Sequence, residues 1–205
     1  MRKSLLFVWA CMGLVCLMSA CKTSVKSKEW KLVWVEDFDQ KNSFDESVWT
    51  KIPRGTSDWN NYMSYYDSCY AMQDGNLILR GIANHTQKND TAPYLTGGVY
   101  TKGKKLFTGG RVEVCARLQA AKGAWPAIWM LPEKAEWPKG GEIDIMERLN
   151  HDRIAYQTTH SYYTHILGIK DNPPHGGINK INPEEYNIYS VDIYPDSLVF
   201  AVNHR

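Results

Sequence analysis

Apolar and polar positions alternate in short runs along most of this chain. Residues 30–38 alternate and predict a first strand. Residues 44–49 read as a short turn or 3₁₀ segment. Residues 70–73, the turn Asp74-Gly75-Asn76 and residues 77–80 read as a hairpin, because Asp-Gly between apolar runs is a strong turn signal. Residues 94–101 are strand-like, and Gly97-Gly98 within them marks a bulge or a close approach of another backbone. Residues 111–118 predict a strand with Val112, Val114, Ala116 and Leu118 inward. In residues 125–132, Trp125, Ala127 and Trp129 share one face, and Ile128 and Met130 the other. Residues 154–160 predict another strand, and 171–182, rich in Pro, Gly and Asn, a long loop. Residues 189–194 and 198–202 predict a last hairpin across Pro195-Asp196. No stretch carries the period of a long amphipathic helix. Many short strands with Gly, Pro and Asn turns predict an all-β fold, a sandwich or jelly roll, in one domain without repeats.

The stretch Gly140-Gly141-Glu142-Ile143-Asp144-Ile145-Met146-Glu147 departs from simple alternation. As a strand it sets Glu142 and Asp144 on one face and Ile143 and Ile145 on the other. The odd offset from Glu142 to Glu147 would put the last acid on the apolar face. An unpartnered carboxylate there costs several kcal/mol. One inserted residue, a β-bulge between Asp144 and Glu147, brings all three acids to one face, and bulges are frequent beside active sites. A helix serves less well. It would splay Glu142 and Glu147 by roughly 140°, and it would have to accept two glycines and two β-branched residues. Crowded carboxylates cannot all ionise freely. The bland reading of an acid-rich strand is a solvated edge. The sharper reading is a carboxylate nucleophile beside a protonated acid, which is what glycoside hydrolysis requires.

Composition changes the picture in one respect. Hydrophobic content of 43% and charged content of 22% over 205 residues are ordinary for a globular domain. Eight Trp and 12 Tyr are not. They fill either an aromatic core or a cleft whose flat rings stack on sugars. Residues 58–66 interleave aromatics with amides and read as the rim of such a cleft. The first residues carry a secretion signal: Arg2 and Lys3, an apolar run over 5–17 too short to span a bilayer comfortably, then Leu17-Met18-Ser19-Ala20-Cys21. The last five resemble a bacterial lipoprotein cleavage site. Residues 1–20 would be removed, Cys21 lipidated and 21–29 left as a tether, with the domain over 30–205. The expected address is the bacterial outer membrane, periplasmic or surface-exposed, with secretion as the runner-up. Contact with the membrane would be through the lipid anchor alone. Cleavage removes two basic residues and no acids, leaving equal numbers of each. That balance gives no support to a nucleic-acid partner. Cys69 and Cys115 could pair in an oxidising compartment. No His or Cys spacing suits a metal.

With these segments in place the chain resembles glycoside hydrolase family 16, the laminarinase-like clan of β-jelly-roll enzymes. The likeness rests on Leu32-Val33-Trp34 with Glu36-Asp37-Phe38; Gly75-Asn76-Leu77; 98–103; 110–114; Trp125-Pro126-Ala127-Ile128-Trp129-Met130-Leu131-Pro132; Trp137-Pro138; and 141–147, in this order. The resemblance implies a retaining mechanism with Glu142 as nucleophile, Glu147 as general acid/base and Asp144 as the helper between them. It implies that Trp129, Trp137 and Trp125 line the cleaved sugar, and that Asn61 and His160 are cleft contacts by position. It implies no required cofactor, a structural calcium ion in the full-length domain, and a monomer. Family members continue past residues 198–202 with further strands, so the chain reads as C-terminally incomplete.

The longer acidic motif goes with laminarinases, agarases, carrageenases and endo-β-galactosidases. The leading expectation is therefore an endo-β-1,3-glucanase acting on a laminarin-like polysaccharide. The Trp59-Asn60-Asn61-Tyr62-Met63-Ser64 rim departs from the laminarinase pattern. It keeps an endo-β-galactosidase acting on host O-glycans or agar-type polymers as an alternative. A non-catalytic surface glycan-binding protein on the same sandwich is a third reading, against which the three acids weigh.

Overall fold

The longest alternating runs become the strands that hold the core. The computed structural model describes residues 30–40, 42–170 and 174–205. The signal sequence, Cys21 and the tether lie outside the described residues. Met1–Lys31 and Leu32–Arg205 are separate units, and every element below belongs to the second.

In chain order the strands are β1 (Thr50–Lys51), β2 (Tyr70–Gln73), β3 (Asn76–Leu79), β4 (Gly81–Ala83), β5 (Tyr94–Thr96), β6 (Val99–Tyr100) and β7 (Gly110–Ala116). They continue with β8 (Ala127–Met130), β9 (Glu142–Glu147), β10 (Ile154–His160), β11 (Gly176–Lys180), β12 (Asn187–Ile193) and β13 (Leu198–Val202). A four-stranded sheet runs β11-β10-β9-β8 and a three-stranded sheet runs β13-β12-β7. The pairs β1-β6, β2-β3 and β4-β5 form short ladders.

The two larger sheets meet across one core, as a sandwich requires. Ile145, Met146 and Ala155 come from the four-stranded sheet and Tyr189, Val191 and Val202 from the three-stranded one, with Leu118 and Ile181 beside them. Burying each large apolar side chain contributes about 1.5–3 kcal/mol. On β7 the positions alternate as the sequence predicts: Val112, Val114 and Ala116 are half-buried, while Arg111, Glu113 and Cys115 are exposed. Central β12 buries its polar face too. Asp192 there grips Arg111 through Nε (2.6 Å) and Nη2 (2.9 Å), a two-bond fork that fixes the β7–β12 register.

Two local predictions are realised. The β2–β3 hairpin turns at Asp74 (φ 52°) and Gly75 (φ 68°), the paired positive values that a type I′ turn needs. Gly97 marks a close backbone approach: an added Cβ would collide with the Cys69 carbonyl oxygen.

Two others are corrected. Residues 30–38 form no strand. Their alternation is real, since Trp34, Glu36 and Phe38 are half-buried, but no described strand pairs with them. Side chains hold the segment instead. Trp34 packs on Trp49 (6.4 Å) and Phe107 (5.7 Å), Phe38 packs on Trp49 (5.8 Å), and Glu36 accepts from the Trp49 indole (3.0 Å). The long loop over 171–182 contains β11, paired with β10 from Ile154↔Lys180 to Thr158↔Gly176. Glycine conceals this edge strand in the sequence because it supplies no alternation, yet its backbone pairs normally.

Cys69 and Cys115 are separate free thiols, the first buried and the second exposed. The helical turns among the described residues are a 3₁₀ turn, Asp67–Cys69, and a π-helical turn, Tyr162–Ile166. The π turn follows β10 and is capped by Ser161 and Thr164, each accepting from the other's backbone N–H at 3.2 Å.

Gly97→Ala forces the Cys69 backbone to move. It is expected to destabilise by about 1–3 kcal/mol, lowering the melting temperature by about 2–4 °C for each kcal/mol. Gly177→Ala has open space around its added Cβ and should stay within about 0.5 kcal/mol of the parent. Thermal melts of the two variants beside the parent check both.

Candidate active site

Strand β9 lies between β8 and β10, so its register against both neighbours fixes where its acids point. Against β10, His160 faces Glu142, Thr158 faces Asp144 and Tyr156 faces Glu147, with the shift between Tyr156 and Thr158. Against β8, Trp129 faces Asp144, Ile128 faces Met146 and Ala127 faces Glu147. Ile145 is therefore the extra residue. The bulge falls where the sequence requires it, and Glu142, Asp144 and Glu147 share one face. Ile145 and Met146, consecutive in the chain, are both buried in the core (1% and 0% exposed).

The ends of β9 are fixed by its flanks. Arg148, 5% exposed, turns away from the acids and donates to the Leu118 and Asp152 carbonyl oxygens. Its backbone N–H bonds Pro126 O (3.0 Å) and that of Asn150 bonds Ala124 O (2.9 Å). These bonds carry the β8–β9 pairing past the strand and bring Trp125 beside Glu147. At the other end Gly140 N–H bonds Glu136 O (3.1 Å) and Gly141 N–H bonds Pro138 O (3.1 Å). Gly141 holds φ 81°, which glycine alone adopts freely. This tight turn folds Trp137 back over Glu142.

The two outer carboxylates each accept from an indole. Trp125 Nε1 donates to Glu147 Oε1 (2.8 Å) and Trp137 Nε1 to Glu142 Oε2 (2.6 Å). Both rings remain about half exposed (49% and 48%), so they present flat apolar faces to solvent while their polar edges anchor the acids. Asp144 lies between, 3% exposed. Burial, then the charges of Glu147 and Glu142, then its hydrogen bond with Glu142 push its pKa up to about 8. His160 Nε2 lies 3.2 Å from Asp144 Oδ2, without the alignment of a hydrogen bond.

Trp125, Trp137 and His160 are thus brought to the acids, and Trp129 stands opposite Asp144 on the neighbouring strand. Asn61 is placed differently. Its backbone N–H bonds Ser57 O (2.9 Å), and its buried Oδ1 has no hydrogen-bond partner among the described residues. Its turn reaches β8 through Trp59, whose ring stands edge-on to Trp129 at 5.4 Å. His165, which sequence reasoning missed, stands edge-on to Trp137 at 4.5 Å and 6.3 Å from His160. It sits on the π-helical turn, which no periodicity announces. Among the described residues no group of three or more His, Cys, Asp or Glu is placed to hold a metal ion.

Comparison with known proteins bears on the family and the fold. The family model described as the XgeA-like, catalytic GH16 domain matches residues 67–182. A keratan-sulfate endo-1,4-beta-galactosidase of Sphingobacterium multivorum is 37% identical over 187 residues, which cover 89% of this chain and 43% of that protein. The chain therefore spans less than half of that relative's length. A beta-glucanase of Rhodothermus marinus is 30% identical over 200 residues, covering 92% of this chain and 68% of that one. Among solved structures, the laminarinase from Rhodothermus marinus superposes with a TM-score of 0.74 at 29% identity, covering 85% of this chain and 72% of that chain. The fold is that of the jelly-roll laminarinases, and the chain belongs to glycoside hydrolase family 16.

Proposed function

We propose that this protein is a retaining endo-β-glycosidase. The observation that carries the reading is the Ile145 bulge, which sets Glu142, Asp144 and Glu147 on one face beneath two exposed indoles. Glu142 attacks the anomeric carbon while Glu147 protonates the departing glycosidic oxygen. The covalent glycosyl-enzyme is then hydrolysed by water, from which Glu147 takes a proton. Asp144, protonated at neutral pH, donates to the Glu142 carboxylate and spreads its charge, so that the nucleophile stays oriented as it departs in the second step. Trp125 and Trp137 each anchor one glutamate and offer stacking faces to the sugars on either side of the cleaved bond.

For the substrate, the reading favoured is a galactose-containing β-linked chain of the O-glycan or agar type. It is supported by the 37% identity to the keratan-sulfate endo-β-galactosidase, against 30% to the beta-glucanase, and by the Trp59 turn packed on Trp129. A β-1,3-glucan is the second reading, supported by the laminarinase structures. The protein is further proposed to sit on the outer membrane through a lipidated Cys21. The expressed parent should then incorporate labelled palmitate, which Cys21→Ala should not, and an unlabelled parent would refute the anchor.

The deciding assay incubates the protein with poly-N-acetyllactosamine, mucin O-glycans, agarose, laminarin and mixed-linkage glucan, and reads the products by mass. Oligosaccharides from the galactose polymers alone are expected; products from laminarin alone would select the glucanase. Glu142→Gln should lose cleavage by at least about a thousandfold and keep polymer binding. A variant as active as the parent would overturn the mechanism.

Asp144 also predicts a pH dependence. Its pKa is near 3.8 when unfolded and about 8 when folded. The native state therefore holds the proton more tightly, and the stability this brings is full below about pH 4 and lost as pH rises through 8. Asp144→Asn removes that titration. Its urea midpoint should fall less than the parent's between pH 5 and 9, while its kcat drops. Parallel stability profiles would refute a protonated Asp144.

A further inference from the structure

The extra residue of β9 creates a need that the core must meet. A bulge leaves its inserted residue outside the ladder. Ile145 is 1% exposed, so its carbonyl oxygen cannot turn to water. The side chain that reaches it is Gln157, the β10 residue at the register shift. Gln157 Nε2 donates to Ile145 O at 3.0 Å, with a longer approach of 3.5 Å to Ala201 O on β13. Its Oε1 accepts from Asn179 Nδ2 at 2.7 Å. A backbone carbonyl only accepts, so the amide nitrogen must face Ile145, and Asn179 fixes the oxygen on the other side.

Gln157 is 2% exposed and shares the core face with Ala155 (0%). Volume alone would be better served there by an apolar residue, because a buried amide is costly unless its bonds are made. The bonds made here are directed. They run from edge strand β11 through Gln157 to the one residue whose insertion decides where Glu147 falls. Gln157 lies on the opposite face of the sheet from the acids and touches no sugar.

We propose that Gln157, oriented by Asn179, is a positioning residue: it pins the Ile145 bulge and so sets Glu147 relative to Glu142 and Asp144. The kinetic part rests on the roles given to those acids above. Loosening the bulge should harm the step that needs nucleophile and acid together, the protonated departure of a poor leaving group, and spare binding.

The test uses the full chain with Gln157→Met, which keeps length and loses the amide, Gln157→Glu and Asn179→Ala. Hydrogen exchange reads the bulge without reference to activity. Peptides covering β9 should exchange about tenfold faster in Gln157→Met, with those covering β12 unchanged; unaltered exchange in β9 overturns the proposal. The parent is then assayed on the five polymers named above. On the polymer it cleaves, Gln157→Met should lower kcat/KM about ten- to a hundredfold, with KM within about twofold. On the 2,4-dinitrophenyl β-glycoside of the same sugar, which departs without a proton, the loss should be below about threefold. Equal losses on the two substrates would mean a smaller folded fraction and overturn the positioning role. Gln157→Glu can donate to Ile145 O only when protonated, so its polymer activity should recover as pH falls. Asn179→Ala should show the same polymer-selective loss in weaker form, and these two variants carry the test if Gln157→Met does not fold. A parent that cleaves none of the five polymers, with β9 exchange raised in the variants, would refute the function proposed above and leave the strut standing.

Discussion

Strand parity is the constraint from which the site follows. Side chains alternate with period two, so two groups an odd number of residues apart cannot share a face of a regular strand. Glu142 and Glu147 are such a pair. The chain resolves the conflict with one inserted residue, Ile145, and it and its neighbour Met146 both enter the core. The apolar burial that holds the sandwich together and the placement of the third acid therefore depend on the same local deformation. A regular strand here would expose Met146 or bury Glu147, and either costs more than the ladder contacts that the bulge gives up.

Three carboxylates on one face raise an electrostatic problem that the surroundings answer unequally. The central acid is buried between the other two, and burial and their charges push its pKa up to about 8. Each outer acid stays at the surface and accepts from an indole N–H. Tryptophan suits this place because one side chain supplies both the donor and an apolar plane. Had Lys or Arg supplied those donors, the acids would have been paired with full charges and no stacking surface would remain. The abundance of tryptophan in the sequence, which could have meant core or cleft, thus has a concrete resolution at Trp125 and Trp137, both about half exposed.

The parts of this arrangement that were legible in the sequence are those set within a single strand or turn. The acid-bearing strand with its bulge, the Asp74-Gly75 hairpin, the inward face of β7 and the close approach at Gly97 all follow from local periodicity and steric need. Pairing is not local, and periodicity does not reveal it. Residues 30–38 alternate correctly but meet no described partner strand, and Gly176-Gly177 pair normally while looking like loop. His165 and Gln157 were invisible for the same reason. His165 matters because a π-helical turn returns it to Trp137, and Gln157 because register sets it opposite Ile145. Neither relation exists before the strands are aligned.

The division of labour between strands and loops bears on how such a site keeps its chemistry while its substrate changes. The acids stand on β9, which is flanked on both sides and packed against a second sheet, so small displacements there are resisted by the whole core. The side chains that reach beyond the acids come from elsewhere: Trp59 from the turn that precedes Met63, and His165 from the π-helical turn after β10. These segments touch the site through ring edges on Trp129 and Trp137 rather than through the carboxylates. Residues can be exchanged along them without altering the β9 register, because loops tolerate substitution that a flanked central strand does not. The proposed reaction class therefore rests on β9 and its neighbours, and the proposed choice of sugar on the turns around Trp59 and His165. The chain resembles laminarinases in fold and is 37% identical to an endo-β-galactosidase against 30% to a beta-glucanase.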